Sequence, residues 1–108
     1  MTETEFNQMV DATLAQIEQM IEASEVDIDF EISAGILELE FENGSKIIIN
    51  RQRATQELWV AAKSGGYHYA WKDRAWRNTR DGSELFASLG HYASEQAGCN
   101  VNLGDFQA

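Results

Sequence analysis

Apolar and polar residues alternate along this chain in two rhythms. Near the start, Phe6, Met9, Val10, Leu14, Ile17, Met20 and Ile21 recur every three or four positions, the stripe of a helix with one face in a core. Thr2 and Glu5 have the spacing at which each side chain caps the other's backbone N–H. The pattern predicts a helix over residues 3–23. The period then shortens to two. Val26, Ile28, Phe30 and Ile32 alternate with Asp27, Asp29, Glu31 and Ser33, and Leu37, Leu39 and Phe41 alternate with Glu38, Glu40 and Glu42. Each stretch reads as a strand with one apolar and one acidic face. Ala34-Gly35 can turn the chain between them, and Asn43-Gly44 predicts a type I′ hairpin into a third strand over residues 45–50. A fourth strand is expected over residues 57–62, and two more over 67–71 and 75–78. Asp81 and Glu84 repeat the capping-box spacing before a second helical stripe, Leu85, Phe86, Leu89, Tyr92, Ala93 and Gln96, which stops at Gly98. Val101, Leu103 and Phe106 can fold the tail back onto it.

Helix, strands, helix is the order of an α+β fold. The expectation is a two-layer α/β sandwich, with two helices on one face of a five- to six-stranded antiparallel sheet and water on the other. A chain of 108 residues makes this a single domain spanning residues 1–108. With 44% apolar and 24% charged residues the composition is that of a folded protein. No apolar run approaches the roughly 20 residues needed to span a bilayer, and the acidic start is unlike a signal or transit peptide. A cytoplasmic location without membrane contact follows as the expectation. Cys99 is the only cysteine, which excludes an internal disulfide and a thiolate metal site and predicts a packed or half-exposed thiol.

Charge changes the picture most. Residues 1–42 carry twelve carboxylates and no Lys or Arg, while all eight basic residues fall within residues 43–80. The net charge of −10 argues against nucleic acid as a partner, and the uneven distribution predicts a molecule with one anionic end that attracts cations or basic protein surfaces. Asp11, Glu18, Glu22 and Glu25 fall within about 60° of one another on a helix. Asp27, Asp29 and Glu31 point to one side of the next strand. Where helix end and strand meet, the two rows form an anionic ridge. Carboxylates are hard ligands for hard cations, but an exposed ridge cannot enclose an ion, so binding is expected to be weak and shared among several sites. The same ridge could dock a basic patch on another protein. Enzyme motifs are scarce: the sequence has no Walker loop, no Gly-rich dinucleotide fingerprint, and only His68 and His91 as histidines. Trp59, between the inward-facing Leu58 and Val60, is expected on the open sheet face as an anchor for a protein partner.

The residues that carry a family resemblance are Phe41-Glu42-Asn43-Gly44-Ser45-Lys46-Ile47-Ile48-Ile49-Asn50-Arg51-Gln52, then Leu58-Trp59-Val60-Ala61 and Gly65-Gly66-Tyr67-His68-Tyr69. With the acidic first helix and strand, they resemble bacterial frataxins of the CyaY type over essentially the whole chain. The resemblance implies an iron-binding protein of iron–sulfur cluster assembly, a metallochaperone that donates iron to the cysteine desulfurase, regulates it, or both. It implies binding of Fe²⁺ and Fe³⁺ on Glu18, Glu22, Glu25, Asp27, Asp29 and Glu31; on so exposed a ridge that binding is expected to be weak, with other divalent cations able to substitute. It also implies contacts with the desulfurase and the scaffold protein, with Trp59 matching the family's exposed sheet tryptophan; Glu22 and Asp27 are the ridge acids expected to dock a basic partner surface, and a monomer is expected in the absence of metal. Two other readings stay open: a metal-independent acidic module that docks a basic enzyme surface, and a weak iron oxidase. No catalytic residues are expected.

Overall fold

The computed structural model describes residues 1–104. Its elements are α1 (Glu3–Ala23), β1 (Ile28–Ser33), β2 (Ile36–Phe41), β3 (Lys46–Gln52), β4 (Glu57–Ala62), β5 (Gly65–Lys72), β6 (Ala75–Asn78) and α2 (Leu85–Ala97). The strands form one six-stranded antiparallel meander in chain order, β1 to β6. Both helices lie on the same face, and their apolar stripes meet the inward residues of every strand in one continuous core. The two-layer α+β arrangement expected from the alternation is the one observed, with six strands. Among the described residues no helix is long and apolar enough to cross a membrane.

Local chemistry explains the boundaries. Thr2 and Glu5 form the expected capping box: Glu5 N–H donates to Thr2 Oγ1 at 3.1 Å and Thr2 N–H to Glu5 Oε1 at 2.8 Å. The bond from Thr2 N–H favours the ionised carboxylate and lowers the Glu5 pKa. At the other end α1 closes without glycine. Ser24 Oγ donates to the Ile21 carbonyl, and Glu25 takes a left-handed φ of 59° that glycine or asparagine usually fills. A further tight bend, in which Ile28 N–H donates to the Val26 carbonyl at 2.8 Å, delays β1. The first strand therefore starts at Ile28, not Val26, and Asp27 lies outside it. Ile32, expected in the core, is 45% exposed: it lies on the edge strand β1, whereas Leu37, its partner on β2, is fully buried.

The turns also depart from expectation. Asn43-Gly44 does not form a type I′ turn. Only Gly44 takes a positive φ, 85°, and Phe41 N–H bonds the Ser45 carbonyl across a three-residue loop, a type I turn closed by a glycine bulge. The Asn43 side chain accepts from Ser45 and donates to the Gln96 carbonyl, which holds its backbone out of the left-handed region. Among the described residues the turns with two positive φ values are Ala34-Gly35 and Asp73-Arg74. The second capping box is absent as well. Asp81 accepts from Ser83 N–H and Oγ, and Glu84 itself caps α2 by accepting from Phe86 and Ala87 N–H. The expected Gly98 stop is present, with φ of 72°. Val101 and Leu103 are buried as expected, whereas Phe106 lies outside the described residues.

Candidate functional site: an anionic edge and an open sheet face

Register decides where the carboxylates go. The two-residue turn at Ala34-Gly35 pairs Ser33 with Ile36, and every second step back along the ladder pairs acid with acid: Glu31 with Glu38 and Asp29 with Glu40. These four point away from the helices, so they form a carboxylate group on the open face of β1 and β2. Lys46, opposite Glu40 on β3, reaches into that group. Its Nζ lies 2.7 Å from Glu38 and 3.9 Å from Glu40. The hydrogen bond and charge of Glu38, with smaller contributions from Glu40 and Glu31, raise the Lys46 pKa.

The remaining carboxylates of the expected ridge are on the helix side and at the end of the sandwich. Glu18 is half-buried, Glu22 exposed, and Glu25 and Asp27 exposed on the connector into β1. Glu25 and Asp27 line a concavity of about 450 Å³, together with Glu42, Asn43, Gln96 and Cys99. Glu42 therefore belongs to the β2–β3 turn and this end concavity, not to the open face where the alternation put it. Cys99 is exposed, more so than expected. Asp11, which the helical spacing joined to Glu18 and Glu22, is neutralised by Arg51 at 2.6 Å. So the six expected ridge residues divide: Glu18, Glu22, Glu25 and Asp27 follow α1 and its exit, and Asp29 and Glu31 turn onto the opposite face of the edge strand. None of the six lies within ion-pair distance of a basic side chain among the described residues. Also among the described residues, no three His, Cys, Asp or Glu side chains converge closely enough to hold a metal ion.

Trp59 is on the open face as expected, half-buried, between Asn50 of β3 and His68 of β5. Its ring stacks flat on His68, with centroids 4.4 Å apart and planes 6° apart. Its indole N–H donates to Glu57 at 2.9 Å, and His68 Nδ1 lies 3.7 Å from the same carboxylate oxygen. The tryptophan is thus held in one orientation by two neighbours, an arrangement suited to a rigid contact surface.

Residues 1–99 match the frataxin-like domain. The chain belongs to the frataxin-like family. This frataxin-like chain is 50% identical over 103 residues to the iron-sulfur cluster assembly protein CyaY of Paraburkholderia phymatum, covering 95% of this chain and 98% of that protein. It is 51% identical over 110 residues to the protein of the same name from Janthinobacterium, covering 97% and 98%. In three dimensions it is similar to the frataxin of Psychromonas ingrahamii, with a TM-score of 0.91 at 34% identity over 97% of this chain and all of that one. It is also similar to a trimeric frataxin from the yeast Saccharomyces cerevisiae complexed with ferrous iron, with a TM-score of 0.69 at 25% identity, over 91% and 88% of the two chains.

Two features of the frataxin-like surface were hidden from pattern reading. The four-carboxylate group around Lys46 requires the exact strand register, although the Ala34-Gly35 turn carried enough information to derive it. The pairing of Asp11 with Arg51 joins positions forty residues apart and left no local signal.

Proposed function

We propose that this protein serves iron–sulfur cluster assembly in the cytoplasm by carrying iron on its anionic edge and docking there on the cysteine desulfurase. The observation that carries the reading is the row Glu18, Glu22, Glu25 and Asp27, which has no basic partner among the described residues. Its support from relatives is the shared name of the assembly proteins and the ferrous complex of the yeast frataxin. Like charges along one helix face destabilise it by roughly 0.2–0.5 kcal/mol per pair. A cation or a basic protein surface relieves that repulsion. Separated carboxylates on an open edge bind hard ions one or two ligands at a time, so iron, ferrous or ferric, is held weakly and exchanges readily with other divalent ions. Weak retention suits cargo that is handed on. Asp29 and Glu31 extend the acidic surface round the edge strand, where Lys46 partly offsets them. Trp59, locked by His68 and Glu57, provides the contact for the scaffold protein on the open face.

The test is a titration of the isotope-labelled protein with Fe²⁺ under anaerobic conditions, and with Co²⁺, followed by amide NMR. Shifts are expected first at residues 18–31. Shifts confined to His68 and His91 would overturn the assignment. In parallel, Glu22→Lys with Asp27→Lys is expected to weaken desulfurase capture at least about tenfold, in line with the loss of close charge pairs across an interface.

A second reading is favoured by one observation, the lack of any three convergent metal-ligating side chains among the described residues. In that reading the edge is a metal-independent docking surface. Desulfurase capture that survives a strong chelator supports it, and capture that needs metal refutes it. Neither reading includes turnover. Oxidation of Fe²⁺ well above the buffer rate, lost in Glu18→Gln and Glu22→Gln, would add a catalytic role.

A further inference from the structure

The basic residues are not treated alike by the fold. Lys46 and Arg51 are neutralised by Glu38 and Asp11. At the opposite edge of the sheet Lys72, at the end of β5, and Arg77, in β6, line a concavity of about 620 Å³ with Asp73, Asn78, Thr79 and Gly82. Lys72 is exposed and Arg77 half-buried. Neither lies within ion-pair distance of a carboxylate among the described residues, and Arg74 and Arg80 flank them in sequence, equally without such a partner.

Three of the nearby acids are engaged elsewhere. Asp81 accepts from Ser83 N–H and Oγ at 2.9 and 2.6 Å. Glu84 caps α2, accepting from Phe86 and Ala87 N–H at 2.7 and 3.0 Å. Glu57 accepts the Trp59 indole N–H at 2.9 Å. Asp73 lines the concavity, but Arg77 bonds its backbone carbonyl instead of its carboxylate. Arg77 Nε donates to the Lys72 carbonyl at 3.4 Å and Nη2 to the Asp73 carbonyl at 3.5 Å. These long bonds orient the guanidinium over the β5–β6 turn without cancelling its charge. An oriented guanidinium with spare N–H groups, an ammonium and a threonine hydroxyl are the donors that phosphate and carboxylate oxygens select. On a protein of net charge −10, general attraction for anions is unfavourable, so retention of one depends on this local set.

We propose that the concavity at the β5–β6 edge binds a small polyanion bearing phosphate or carboxylate groups. The experiment titrates the intact labelled protein with inorganic phosphate and, separately, with citrate, at ionic strength held constant with NaCl, and follows the amides. Saturable shifts are expected at Lys72, Arg77, Thr79 and Gly82. Arg77→Gln is expected to weaken the midpoint about tenfold, the value of one charge-assisted bond. Lys72→Gln, at an exposed position, is expected to weaken it too and serves should the first variant not fold. Saturation by phosphate alone identifies a phosphate-bearing ligand, by citrate alone a carboxylate, and by both a ligand recognised by charge and oxygen geometry. The proposal is overturned by no shifts, by shifts that do not saturate, by equal shifts at Arg53 and Lys63, or by binding unchanged in both variants.

Discussion

On the helix-covered face of the sheet, polar side chains are few and each is bonded. Buried Thr13 accepts the Trp76 indole N–H at 2.9 Å and donates to the Met9 carbonyl. Tyr69 and Tyr92 share a buried hydroxyl pair at 3.0 Å. Gln96 ties α2 to two turns: its oxygen accepts Lys63 N–H, and its amide donates to Ser45 Oγ and the Lys46 carbonyl. No buried side-chain nitrogen or oxygen among the described residues lacks a partner. On the open face charge is only partly offset, by Lys46. Like charges stand directly opposite one another, Glu31 to Glu38 and Asp29 to Glu40, a placement that destabilises a sheet. The contrast teaches that one face supplies the stability that lets the other remain electrostatically unfavourable and available for binding.

The sharpest way to break this contrast is to compare two tryptophans. Trp76 is fully buried against Phe6 and Trp71, and Trp76→Ala is expected to lower stability by about 3–5 kcal/mol in urea denaturation. Trp59→Ala, on the open face, is expected to lose less than half as much. Equal losses would mean that the faces do not differ in their contribution. Next in size, Gln96→Leu leaves the Lys63 N–H and Lys46 carbonyl without their partner and is expected to lower stability by about 1–3 kcal/mol, with little change in metal shifts at residues 18–31. A loss of those shifts in a folded variant would show the faces to be coupled.

Alkaline pH probes the covered face more gently. Burial, then the bond to Tyr69, raises the Tyr92 pKa above its ordinary 10.0. The unfolded chain releases this proton near pH 10 while the folded one retains it. The folded state then binds more protons, so stability is fully present below pH 10 and falls as pH rises beyond it. Tyr92→Phe is expected to flatten that part of the stability–pH curve, and an unchanged slope would assign it to other groups. The smallest effect belongs to the open face. Lys46→Gln removes the cation from the four-carboxylate group. A slightly lower melting temperature at low salt is expected, restored by high salt or by millimolar divalent cation, and more strongly than in the parent protein. Salt and cation leaving the variant unmoved would mean that the repulsion is already relieved.

Much of the fold was legible because periodicity survives wherever a face is buried. The range 3–23 for α1 and the limits of β4 and β6 agree with the observed elements, as does the open-face position of Trp59 between two inward residues. What escaped was set at a distance. The Asn43-Gly44 turn takes another form because Gln96, fifty-three positions later, captures the Asn43 amide. The first strand starts late because Glu25 and Asp27 sit in a tight exit from α1. Asp11 left the ridge because Arg51 arrives from β3.

The excess of acid in residues 1–42, its freedom from local basic residues, and the two-layer pattern of helices and strands follow from the sequence alone, since each depends on neighbours within a few positions. Tertiary structure alone decided which acids stay unneutralised. Coulomb interactions act through space over a few ångströms. Only the folded chain brings Lys46 to Glu38 and Arg51 to Asp11.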